Sequence, residues 1–129
     1  FNTHRREHFF RAAQEGIVFA LNYGIKIMRE MGMTFSQARA GHANMFLSPI
    51  FAETFATVTN TTVDLFNTDG AQGAARGAGL GIGLYKNREE AFVGLHPLKT
   101  ISPNQKTHKL YQEIYQRWED KLNSIRSCL

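Results

Sequence analysis

Cysteine is almost absent from this chain. The single thiol, Cys128, cannot form an internal disulfide or a zinc cluster, so packing and hydrogen bonds must hold the fold, and a reducing cytoplasm is the expected compartment. Long apolar runs are also missing. None approaches the roughly 20 residues of a membrane-spanning helix, so no membrane partner is expected. Charge of one sign is not concentrated anywhere. The formal charge is +4, but Lys and Arg are scattered and only Arg5 and Arg6 are adjacent, so no basic stripe offers itself to nucleic acid. The five histidines lack metal-ligand spacing, and His4 and His8 are expected on the surface. No secretory leader is visible, and Phe1 stands where an initiator Met would, so the chain is expected to be part of a longer polypeptide.

What is present reads as alternating helices and strands. From about His4 to Met31, Phe9, Ala13, Ile17, Ala20, Gly24, Met28 and Met31 recur at helical spacing, which predicts a helix with this stripe inward, ended by Gly32. Ser36 to Ala40 predicts a short strand leading into Gly41. Ser48 and Pro49 form a helix start, a capping hydroxyl followed by a first-turn proline, with Phe51, Phe55 and Val58 on the apolar face. Thr61 to Phe66 is β-branched and alternating, hence a strand. A small-residue helix follows from about Gly70 to Tyr85, then a looser stretch through Pro97 and Pro103. The last helix, about Lys106 to Ile125, is expected to bury Leu110, Ile114, Trp118, Leu122 and Ile125. This order is α/β, but two strands are few for such a sheet, so others are expected to complete it.

Two stretches carry chemical interest. Between Ala40 and Pro49 a strand ends, small residues turn the chain and a helix begins. Such a turn lets a planar ligand or a phosphate approach the backbone, and it also occurs with no ligand. Between Asp69 and Gly81 no strict dinucleotide fingerprint fits. Gly73, Gly77 and Gly81 instead form a flat stripe at helical spacing. A glycine costs about 1 kcal/mol against alanine inside a helix, so the stripe predicts a closely packed neighbour. Glu15 is expected to pair with Arg11, one turn earlier, rather than to act as a catalyst.

Taken in order, Arg11-Ala12-Ala13-Gln14-Glu15-Gly16, the Gly41 turn with Ser48-Pro49-Ile50-Phe51, and Asp69-Gly70-Ala71-Gln72-Gly73-Ala74-Ala75 resemble the C-terminal half of the FGGY sugar kinases. The pattern is most like the xylulokinase subgroup, and the closing Tyr111, Tyr115 and Trp118 resemble the family's terminal helix. The resemblance implies an incomplete α/β domain over residues 1–129. It would be part of the actin-like, ribonuclease H-like ATPase fold, ordered helix-strand-helix-strand-helix plus a C-terminal helix.

It also implies ATP and Mg²⁺ as cofactors of the whole enzyme, with D-xylulose or a related ketose or polyol bound by a missing N-terminal half. The Gly turn would lie against adenosine, which points to Ala40, Gly41, Asn44 and Ser48. Asn44 is preferred to Ser48 because an amide both donates to and accepts from a base edge. Ala40 stands where the family has Gly, and the loop to Ser48 is longer. The catalytic base and main phosphate loop of the family lie upstream, so the piece alone is expected to be inactive, with a raw sheet edge that pairs it as a homodimer. A non-catalytic α/β domain binding a partner through its Gly/Ala face is the alternative.

Overall fold

The computed structural model describes residues 3–128, so the extreme ends of the 1–129 unit lie outside the described residues. The first helix, α1 (Arg6–Glu30), stops at Met31, and Gly32 takes the left-handed φ of 89° that ends it. Strand β1 (Gln37–Gly41) and a 3₁₀ turn (Asn44–Leu47) lead to Ser48. The Ser48 hydroxyl accepts from the Phe51 N–H at 3.4 Å and opens α2 (Pro49–Thr59). After β2 (Thr62–Phe66), Asp69 accepts from the Gln72 N–H at 2.8 Å and starts α3 (Gly70–Gly81). Asn87 and Asn104 cap the short α4 (Arg88–Ala91) and the long α5 (Gln105–Arg126) in the same way. No helix is long and apolar enough to cross a membrane among the described residues.

The sheet has three strands, not the two read from sequence. β1 and β2 run parallel, and β3 (Pro97–Ile101) lies antiparallel on the far side of β2. β3 escaped detection because it is an outer strand with only Ile101 buried, so no alternation shows. Pro97 fits at its first position, where no ladder N–H is needed. Ala38, Ala40, Val63, Leu65 and Ile101 face the helices. The opposite face carries Gln37, Arg39, Asp64 and Thr100 beside Phe66, and Asp64 accepts from both Gln37 and Thr100.

Val18, Phe51, Phe55, Val58 and Leu65 centre the core, which joins α1, α2, α5 and one sheet face. Here α1 departs from expectation. Phe9, Ile17, Met28 and Met31 lie exposed, and Val18, Phe19 and Asn22 are buried instead. The reason lies about a hundred residues away. Tyr111 of α5 donates to Glu15 at 2.9 Å and accepts from Arg11 at 2.9 Å, while Lys26 meets the buried Glu119 at 2.7 Å. These bonds turn a partly polar face of α1 inward and leave an apolar one open. The expected pairing of Glu15 with Arg11 is present at 2.9 Å. On α5 the buried line is Tyr111, Tyr115 and Glu119. Ile114, Trp118 and Leu122 flank it half-buried, whereas Leu110 and Ile125 are exposed.

The carbonyls that close α2 are also met from outside the helix. Arg29 donates to Thr59 O at 2.8 Å, Gln112 to Val58 O at 3.1 Å, and the His108 ring lies 2.7 Å from Thr57 O. Three side chains from α1 and α5 thus satisfy groups that a helix end leaves orphaned.

The glycine stripe of α3 forms a helix as expected, but no close neighbour stands against it among the described residues. A Cβ added at Gly73, Gly77 or Gly81 would meet nothing within 4 Å; the tight position is Gly79, where it would lie 2.6 Å from the Tyr85 ring. Gly77→Ala is therefore expected to raise stability by about 0.4–1 kcal/mol through reduced freedom of the unfolded chain. A lower midpoint in thermal denaturation would reveal a neighbour covering the stripe.

Candidate functional site

Parallel strands β1 and β2 end side by side, each followed by a helix. In open α/β sheets the crevice beyond such strand ends is where ligands settle. Here the chain is drawn tight. His42 N–H donates to Phe66 O at 2.8 Å, tying the end of β1 to the end of β2. Gly41 lies so close to the next turn that a Cβ would collide with the Thr68 carbonyl oxygen and sit 2.9 Å from its carbon. Glycine at this position is thus required by the chain's own backbone.

Two cavities flank this turn, and Ala40, Gly41 and Gly70 border both. One, of about 520 Å³, is lined by Arg39, Phe66, Asp69, Gly73, Phe92 and Leu95. Its floor is the ends of the two parallel strands, and one wall is the first turn of α3, where the Asp69 carboxylate takes the Gln72 N–H and the N–H groups it leaves favour an anion. Arg39 lies over the Phe66 ring at 5.8 Å from its centroid. The other cavity, of about 310 Å³, is mostly apolar and is bordered by Ile17, Leu21, Asn44, Met45 and Phe46.

The four residues singled out from sequence fall into different environments. Ala40 points its methyl into the core, so only its backbone can meet a ligand. Gly41 offers backbone at the shared rim. Asn44 is exposed in the left-handed region with φ of 52°, which Asn tolerates better than most residues, and its amide has no hydrogen-bond partner among the described residues. Ser48 is removed from both cavities. Its hydroxyl caps α2 and also donates to Gln14 at 2.7 Å, so its proton is already committed.

Sequence reasoning did not pick out Arg39, Phe66, Phe92 or Leu95 as lining this crevice. Phe66 could have been found from its place at the end of β2, and Arg39 from its place two residues before the end of β1. Phe92 and Leu95 follow α4 in the stretch read as loose, where no periodicity marks them.

No family model matches the chain. Curated relatives do. The L-xylulose/3-keto-L-gulonate kinase of Escherichia coli is 32% identical over 95% of this chain and 25% of its own length. The xylulose kinase of Bacillus subtilis is 32% identical over 97% of this chain and 27% of its length. Among solved structures, a ligand-bound xylulose kinase from Lactobacillus acidophilus overlays 98% of this chain and 26% of that one, with a TM-score of 0.77 and 19% identity. The chain therefore spans about a quarter of the length of the curated relatives it matches. Over nearly its whole length it is a homologue of a segment of xylulose kinases, and it has the mixed α/β, actin-like fold of that segment.

Proposed function

We propose that this chain is the C-terminal, adenosine-side portion of an ATP-dependent sugar kinase that phosphorylates D-xylulose or a related ketose or polyol in the cytoplasm. The observation that carries the proposal is the crevice at the ends of β1 and β2, against the start of α3. Its apolar walls suit a base, and its helix N-terminus suits the phosphate side of a nucleotide. The names of the relatives supply the sugar class.

In this proposal the chain binds and orients; it does not transfer the phosphoryl group. Ala40 and Gly41 present backbone to the nucleoside at the rim the two cavities share, and Asn44, on the smaller cavity across that rim, offers an amide to a base edge that extends over it. No group of three or more His, Cys, Asp or Glu side chains is placed to hold a metal among the described residues. Mg²⁺ would belong to the remainder of the enzyme, where it would draw charge from the transferring phosphate. The same holds for the base that takes the sugar's hydroxyl proton. The chain alone is accordingly inactive, and the open apolar face of α1 would be covered in the complete enzyme or, in isolation, by a second copy.

The test is made in the kinase that contains this chain. Asn44→Ala should raise the KM for ATP several-fold to about tenfold, the worth of one hydrogen bond, while the KM for sugar holds. If Ser48→Ala alone has that effect, the contact lies at the start of α2 instead. Phosphorylation of D-xylulose by the 129-residue chain with ATP and Mg²⁺ would sink the portion reading altogether.

A further inference from the structure

The outer wall of the larger cavity is made by Phe92 and Leu95, in a segment that belongs to neither sheet nor long helix. Two side chains hold that segment in place. From α3, Arg76 Nη1 donates to the carbonyl of Ala91 and, at 3.2 Å, to that of Val93. From the end of β2, Asn67 donates to Gly94 O at 3.1 Å and accepts from the His96 N–H at 2.8 Å. The carbonyls that Arg76 takes bracket Phe92, and the Asn67 bonds bracket Leu95. Each wall residue is thus fixed by backbone bonds on both sides of it.

Ala91 is fully buried beneath this clasp, whereas Phe92 is 41% exposed and Val93 70% exposed. An apolar ring left that open, on a backbone held that firmly, is placed to contact a ligand rather than to fill a core. We infer that Arg76 is a positioning residue for nucleotide binding. It ties residues 91–93 to α3 so that Phe92 and Leu95 stand as the apolar wall against which the nucleoside packs. This rests on the nucleotide assignment proposed above. Arg76 itself touches no ligand and acts through the backbone it grips. An arginine suits the task because one charged nitrogen reaches two carbonyls, and bonds from charged donors are stronger than neutral ones.

The experiment titrates ADP into the kinase that contains this chain and follows the heat of binding by calorimetry. Wild type should bind, Arg76→Ala should bind about tenfold more weakly, the equivalent of roughly 1.4 kcal/mol, and Arg76→Lys should recover part of the loss. Phe92→Ala, which leaves the core intact, should weaken binding similarly. If Arg76→Ala lowers the melting temperature yet leaves ADP affinity unchanged, Arg76 is only structural and the inference is overturned. Unchanged affinity in Phe92→Ala overturns it as well, even if Arg76→Ala fails to fold. Absence of ADP binding by wild type would instead remove the nucleotide assignment, and this inference with it.

Discussion

Replacing Phe51 by alanine should cost about 3–5 kcal/mol of stability, the range for deleting a buried aromatic ring. Phe51 is 2% exposed, packs edge-on to Phe46 at 5.2 Å between ring centroids, and lies over Phe55 at 6.5 Å. No neighbour is free to collapse into the space. Phe55 is held on the same helix, and Phe46 is fixed by the 3₁₀ turn whose last N–H, from Ser48, bonds Met45 O. A domain of this size has about 5–15 kcal/mol in all, so the loss approaches the whole margin. Urea denaturation checks the value, and a loss below 1 kcal/mol would mean that α2 does not pack as described. Because Phe51 also lines the smaller cavity, the variant should enlarge that cavity as well.

Gly41→Ala should be the second large effect, although it adds a single methyl. The added carbon meets backbone, the Thr68 carbonyl, which cannot swing aside as a side chain can. Either β1 shifts away from the β2–α3 turn or Thr68 moves. Over-packing of this kind typically costs about 1–3 kcal/mol, and the displaced turn carries the Asp69 cap of α3 with it. The expected result is a lower denaturation midpoint together with lost ADP binding, since the crevice rim is the part that moves. A Gly41→Ala protein with wild-type stability would show that the approach to Thr68 is looser than the structure has it.

How much of this was legible in sequence depended on where each residue's partner lay. The caps Ser48 and Asp69 each satisfy an N–H group three residues on; Ser48 could be read directly, whereas Asn67, Thr68 and Asp69 were all possible caps for α3 and the structure uses Asp69. The face of α2 was also correct, because Phe51, Phe55 and Val58 all bury. The face of α1 was not. Its buried side includes Asn22 and reaches Tyr111 and Glu119 on a helix far along the chain, and no local pattern carries that information. The Gly stripe of α3 illustrates a different limit: spacing announced a flat face, but the neighbour that would use it is not among the described residues. At the site, the Gly41 turn was visible as a run of small residues, whereas Phe92 and Leu95 reach the crevice through the clasp of Arg76 and Asn67, which spacing does not encode.

The bond that Arg11 donates to the Tyr111 hydroxyl joins residues 100 apart. For a flexible loop, the entropy of closure grows only logarithmically, and doubling the length costs about 0.6 kcal/mol. The connection at residues 82–87, between α3 and α4, can therefore accept inserted residues at little thermodynamic cost while α5 stays docked. Gly41 and His42 have no such freedom, because they are fixed by contact with Thr68 and by the His42 bond to Phe66. Length variation in proteins built on this plan should accordingly gather in that outer connection or beyond His42, in the loop to Ser48 that is already long here, while the ends of the parallel strands keep their spacing.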